Sequence, residues 1–196
     1  SEKEKKDYDE GREVLCRVLR REIPLIMTAN TALEAESVVK LGRRYGLRLV
    51  IAGAFGVEDF AQEIMDQGWH VMLGDGTNMM AAQENHTDLR RLLELSRKGL
   101  DLSIYSSGDE GYAYGYEQIW WNAAQMSAAG AAGWEIMDMM TIRPARALGV
   151  DALAGSLEPG KQADIILCRG CPAERFDNYI DQTIVAGRTV FKREAD

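Results

Sequence analysis

The chain has 196 residues, 46% of them apolar, with 31 acidic against 23 basic side chains and a formal net charge of −8. That is apolar material enough for a sizeable buried core. The acidic balance argues against nucleic acid or an anionic membrane surface as a partner, and no apolar run approaches the ~20 residues that cross a bilayer.

Three cysteines, an odd and small number, fit reduced thiols and point to the cytoplasm. No charged-then-apolar leader is recognisable, and the charged residues 1–10 read as the solvated, mobile end of a longer protein. Within 14–19, Val14, Leu15, Cys16, Val18 and Leu19 form a periodic apolar face that places Cys16 in the core. Residues 23–28 predict a strand and 32–45 a helix. Thr31 and Glu34 have the spacing at which each side chain satisfies a free N–H of the first turn, and Gly46 ends the helix. Residues 47–52 predict the second strand and 57–67 the second helix, stopped by Gly68. A third strand over 70–73 leads through a loop at 74–80 to a helix over 83–98, closed by Gly99. Residues 102–106 and 116–129 predict the fourth strand and helix.

Strands alternating with helices of this length imply parallel βαβ units with right-handed crossovers. Four such units are half of a (β/α)8 barrel, whose full form takes ~250 residues. The fold class is therefore α/β: a parallel four-stranded sheet flanked by helices, with two short strands after it. A half barrel leaves two sheet edges that a lone chain must cover or pair.

The run from Gly155 through Leu157, Glu158, Pro159, Gly160, Lys161, Ala163 and Asp164 to Leu167 is a glycine-and-proline turn entering an apolar strand. It resembles the C-terminal signature of the amidohydrolase superfamily, the metal-dependent hydrolases of cyclic amides and related C–N bonds that include imidazolonepropionase- and dihydroorotase-like enzymes. Upstream, Thr141, Arg143, Pro144, Ala145, Leu148 and Gly149 match that family's "T-x-N/R-P-A-x-x-L-G" helix. Downstream, residues 183–191 match its closing strand. The resemblance implies that the four βα units are barrel strands five to eight, occupying residues 1–150. Residues 151–196 would then be a β appendage, made of short C-terminal strands of the small β-sandwich beside the barrel.

Family members bind one or two divalent metals, typically zinc, through a His-x-His on the first strand, histidines ending strands five and six, and an aspartate ending strand eight. The metal acidifies a water and the aspartate shuttles its proton. Where close relatives carry His-Ala-His, this chain has Thr28, Ala29 and Asn30; where they carry His-Gly, it has Ala52 and Gly53. None of these offers an imidazole nitrogen, so no metal ligand and no cofactor is expected within this chain. Asp109 stands where the shuttle aspartate would fall, and is the tentative catalytic residue; its competing reading is a turn aspartate among glycines.

The remaining motifs read as structural. His70 opens a strand, at the end opposite the one where barrel sites form, and is expected to be half-buried; His86 lies near a helix start, at the surface. Cys168 and Cys171 form a Cys-x-x-Cys without the second pair that zinc needs, closing a strand rather than opening a helix. The glycines at 53–56 and 74–78 lack the spacing of phosphate loops. Tyr116, Trp120 and Trp121 are spaced for helix packing, whereas Tyr112 and Tyr114 could line a pocket or interface. Met137, Met139 and Met140 read as deformable core.

Two functions from different classes follow. The first is an amidohydrolase-family fragment, inactive alone, whose ancestral reaction is hydrolysis of a non-peptide C–N bond of a small molecule. The second is a metal-free relative that binds or scaffolds. A redox or zinc module on Cys168 and Cys171 is a remote third. A homo-oligomer or an N-terminal half would supply the partner for the open edges.

Overall fold

In the computed structural model the described residues are 9–74, 88–106, 118–175 and 177–194. Helix α1 (Glu10–Leu19) precedes four βα repeats: β1 (Leu25–Thr28), α2 (Ala32–Tyr45), β2 (Leu49–Gly53), α3 (Ala61–Gln67), β3 (His70–Leu73), α4 (Leu89–Arg97), β4 (Asp101–Ile104) and α5 (Gln118–Ala128). Helices α6 (Gly133–Met140) and α7 (Ile142–Leu148) follow, then strands β5 (Ile165–Arg169), β6 (Tyr179–Val185) and β7 (Arg188–Lys192). The first four strands form one parallel sheet in the order β1-β2-β3-β4, and the last three a separate antiparallel sheet. This is the expected α/β half-barrel arrangement, with β1 and β4 outermost.

Alternation along the strands divides the parallel sheet into two faces. Leu49, Ile51, Val71, Leu73, Leu102 and Ile104 join Val38, Ile64, Leu92, Leu93, Ile136 and Met139 of the helices in one apolar core. The other face carries Ile26, Thr28, Val50, Ala52, His70, Met72, Asp101 and Ser103, aligned by strand register.

Local chemistry sets the element ends. Thr31 Oγ1 accepts from the Glu34 N–H at 3.2 Å, as the spacing predicts, but Glu34 Oε2 reaches back to the Asn30 N–H at 2.7 Å rather than to Thr31. Gly46 stops α2 in the left-handed region at φ 60°, and the Leu47 N–H then bonds Gly42 O. Leu47 thus belongs to the helix stop, so β2 begins at Leu49. The predicted helix over 57–67 divides into a 3-10 turn, Val57–Phe60, and α3. Helix α4 starts later than expected, where Asp88 Oδ1 caps the N–H groups of Arg90 and Arg91.

Two expectations are corrected. Cys16 is only half-buried, because α1 buries Val18 alone while Val14, Leu15 and Leu19 face outward. The C-terminal sheet has three strands rather than two. The segment 183–191, read as one closing strand, is a hairpin: Ala186 and Gly187 both have positive φ (48° and 77°), the pairing of signs that a tight two-residue turn between antiparallel strands demands.

The motifs of the C-terminal third act structurally. Lys161 Nζ lies 2.5 Å from Ser156 Oγ and 3.1 Å from Glu158 Oε1, tying the glycine–proline turn together. Asp164 accepts the Ala186 N–H at 2.7 Å, fastening the turn to the hairpin. Arg143 donates to Ser96 Oγ at 2.7 Å and Leu102 O at 3.3 Å, joining α7 to α4 and β4.

Candidate functional site

In parallel α/β sheets, sites form at the carboxyl ends of the strands. There Thr28 and Ala52 are register partners on the face away from the helices, and Met72 and Ser103 continue the row. The row offers a hydroxyl, a methyl, a thioether and a second hydroxyl. Beyond it, the Ala29 N–H donates to Ala52 O at 2.8 Å and the Phe55 N–H to Ala29 O at 3.2 Å, which draws the β1 and β2 exits together. Asn122, buried on α5, donates to Tyr105 O at 3.0 Å and anchors the β4 exit.

Gly53 lies in the left-handed region at φ 82°, and a Cβ there would meet Asn30 Oδ1 at 2.6 Å and Ala29 O at 2.9 Å. Ala54 follows at φ 66° with no exposed surface. The β2 exit is therefore closely packed, and no side chain fits at position 53. We expect Gly53→Ala to destabilise by about 1–2 kcal/mol, from the left-handed backbone penalty of an L-residue, read as a lowered urea midpoint with unchanged slope. An unchanged midpoint would contradict the packing described.

Of the residues singled out from sequence, Thr28, Asn30, Ala52 and Gly53 are brought together at neighbouring strand exits. Asp109, His86, Tyr112, Tyr114 and Tyr116 lie outside the described residues, as do residues 75–78 of the third loop. Trp120 is half-buried and Trp121 half exposed on α5. Among the described residues, no group of three or more His, Cys, Asp or Glu side chains is placed to hold a metal ion. Cys168 and Cys171 are free thiols. Burial first, then the charges of Asp181 and Cys171, push the Cys168 thiol up, the opposite of what a reactive redox cysteine requires.

His70 was expected to be half-buried, but only 3% of it is exposed. Its Nε2 lies 2.7 Å from Ser103 Oγ and its Nδ1 lies 2.8 Å from Asp101 Oδ2. Sequence reading placed His70 on a strand but missed both partners. The signal was available: Asp101 and Ser103 are two apart on the next strand, hence on one face.

The amidohydrolase family profile matches residues 119–190. An amidohydrolase from Thermotoga maritima MSB8 superposes with a TM-score of 0.82 at 23% identity, covering 97% of this chain and 49% of that one. A zinc-bound adenosine deaminase from Xanthomonas campestris gives 0.66 at 20% identity over 92% and 48%. Guanine deaminase of E. coli gives 0.54 at 19% over 79% and 41%. At these identities the likeness is one of fold, and the chain spans about half the length of the structures it matches. No curated protein sequence matches it. No helix among the described residues is long and apolar enough to cross a membrane.

Proposed function

From a chain whose residues 119–190 match the amidohydrolase family, we propose an amidohydrolase-like C-terminal half barrel that does not hydrolyse substrate by itself. Residues 1–150 make its barrel portion and 151–196 its β appendage. The observation that carries this reading is the pairing of Thr28 with Ala52 at adjacent strand exits. By the family resemblance, those are the positions of the imidazoles that end barrel strands five and six. A hydroxyl and a methyl supply no nitrogen lone pair, and Gly53 has no room for a side chain. The residues present do not fit a zinc ion held in the family manner. Activity on the C–N bond of a small molecule would need ligands from an N-terminal half or another chain, which would also pair the β1 and β4 edges.

The purified chain is expected to contain no stoichiometric zinc, manganese or iron by elemental analysis after chelator-free preparation. It is also expected to leave a panel of cyclic amides and N-acyl compounds unhydrolysed, with Asp109→Asn indistinguishable from wild type. One tightly held ion per chain that is lost in Asp109→Asn, or wild-type turnover that falls ~100-fold in Asp109→Asn, the scale of losing a general acid–base, would overturn this reading. It would restore Asp109 as a catalytic carboxylate. The second reading, a binding or scaffold protein, is favoured by the same Thr28–Ala52 pair. It is distinguished by inactivity that persists after addition of an N-terminal half carrying a His-x-His.

A further inference from the structure

In the C-terminal sheet β6 lies between β5 and β7, and its Tyr179 gathers an arginine from each neighbouring strand. Arg169 of β5 is the register partner of Tyr179 and holds its guanidinium carbon 5.2 Å from the ring centre. Arg193 lies one residue past β7. Its backbone N–H donates to Asp181 O at 2.8 Å, and its guanidinium carbon lies 4.0 Å from the same ring centre.

An aromatic face attracts a cation through its quadrupole and accepts no directed N–H bond in doing so. The donor edges of a stacked guanidinium therefore stay available. Elsewhere in the chain such edges are taken up by the protein: Arg48 donates to Arg146 O and Ala147 O, and Arg97 to Glu135. Here they are not. Arg169 has a single loose ion pair, Nε to Asp181 Oδ2 at 3.7 Å, too long for a hydrogen bond. The Arg193 guanidinium has no carboxylate partner among the described residues. Asp177 does not supply one, because its Oδ1 already accepts from Arg175 Nε at 2.7 Å. Two cations thus share one ring and one carboxylate, in a chain whose formal charge is −8. Like charges repel, and the ring is what keeps the two together.

We propose that Arg169, Tyr179 and Arg193 form an oxyanion site on the C-terminal sheet that takes the diphosphate group of a small molecule. Each planar guanidinium pairs with one phosphate through parallel N–H···O bonds, the geometry that arginine is shaped for. Tyr179 positions both guanidiniums before the ligand arrives, which lowers the entropy lost on binding. Asp181 opposes the ligand by its charge. The site uses residues to which the proposed function gives no role, and it stands or falls independently of that reading.

The probe is inorganic pyrophosphate, titrated into the labelled full chain in low-salt buffer at pH 8, with orthophosphate as the comparison. Arginine Nε–H resonances report binding, and Arg169→Gln and Arg193→Gln assign them. The expected result is a saturable shift of both resonances at one pyrophosphate per chain, with orthophosphate weaker by ~10-fold. Each Arg→Gln variant is expected to weaken pyrophosphate by ~10-fold or more, the scale of losing a charge-assisted hydrogen bond. Both positions are exposed, so the fold persists in these variants. Asp181→Asn removes the opposing charge and is expected to tighten binding. Tyr179→Leu keeps every charge but not the platform, and is expected to weaken it. Arg44→Gln removes an arginine stacked alone, 5.4 Å from the Tyr45 ring centre, and is expected to change nothing. Shifts that never saturate, equal affinity for orthophosphate, or wild-type affinity in either arginine variant would overturn the proposal. So would wild-type affinity in Tyr179→Leu.

Discussion

Replacing Trp69 with alanine is expected to lower the stability of the fold by about 3–5 kcal/mol, the range for truncating a buried aromatic. Trp69 leads the fully buried side chains in volume, and its indole N–H donates to Leu47 O at 2.9 Å. Its ring lies against Gly42, where an added Cβ would sit 2.7 Å from the ring carbon and also collide with Leu49. Helix α2 can approach the sheet this closely only because position 42 is bare, so the indole has nowhere to shift and alanine leaves a cavity. Trp69→Phe keeps much of the ring but loses the N–H and strands the Leu47 carbonyl, for about 1–2 kcal/mol. Urea unfolding followed by circular dichroism at pH 7 measures both. Equal losses in the two variants would show that the hydrogen bond, not ring burial, dominates. Small domains have total stabilities of about 5–15 kcal/mol, so Trp69→Ala is expected to remove a large fraction of the total.

The order of the parallel strands was legible because each is a short apolar run set off by glycine stops. Gly46, Gly68 and Gly149 all end helices in the left-handed region. Burial was harder to read. Val14, Leu15, Cys16, Val18 and Leu19 have a helical apolar period, yet only Val18 is buried. The helix precedes the outermost strand β1 and joins the core through Val18, and no local pattern reports which face of a helix its tertiary neighbours cover. The hairpin at Ala186 and Gly187 escaped because alanine rarely adopts positive φ; in the usual Asn-Gly form the turn would have announced itself. At the candidate site, the residue identities at 28, 30, 52 and 53 were readable. Their mutual placement depends on strand register, which sequence does not state. The bond between His70 and Ser103 is a cross-strand contact of the same kind.

Glu135 gives the second large expected effect. It is 5% exposed near the start of α6 and receives Arg97 on both oxygens, at 2.9 Å to Oε1 and 2.7 Å to Oε2. The Ala132 N–H also donates to it at 2.8 Å, and Arg97 continues to Gly130 O at 3.0 Å. One carboxylate thus caps α6 and ties it to α4. Glu135→Ala removes a charge-assisted bidentate pair and a helix cap. Because half of the Arg97 side chain already faces water, the guanidinium can rehydrate, which holds the expected loss to about 2–3 kcal/mol. Glu135→Gln keeps an acceptor for Ala132 and should fall between the two. The side-chain bond from Arg97 holds the carboxyl at about 2, below its ordinary 4.5, against the opposing effect of burial. A carboxyl more acidic in the folded state stabilises above its unfolded pKa and loses that contribution as pH falls through the folded one. The difference between wild type and Glu135→Ala should accordingly be full at pH 6, shrink below about pH 4.5, and approach its minimum near pH 2. Urea midpoints measured at each pH test this, and a difference that stays constant, or widens in acid, would remove Glu135 as the ionised clamp between α4 and α6.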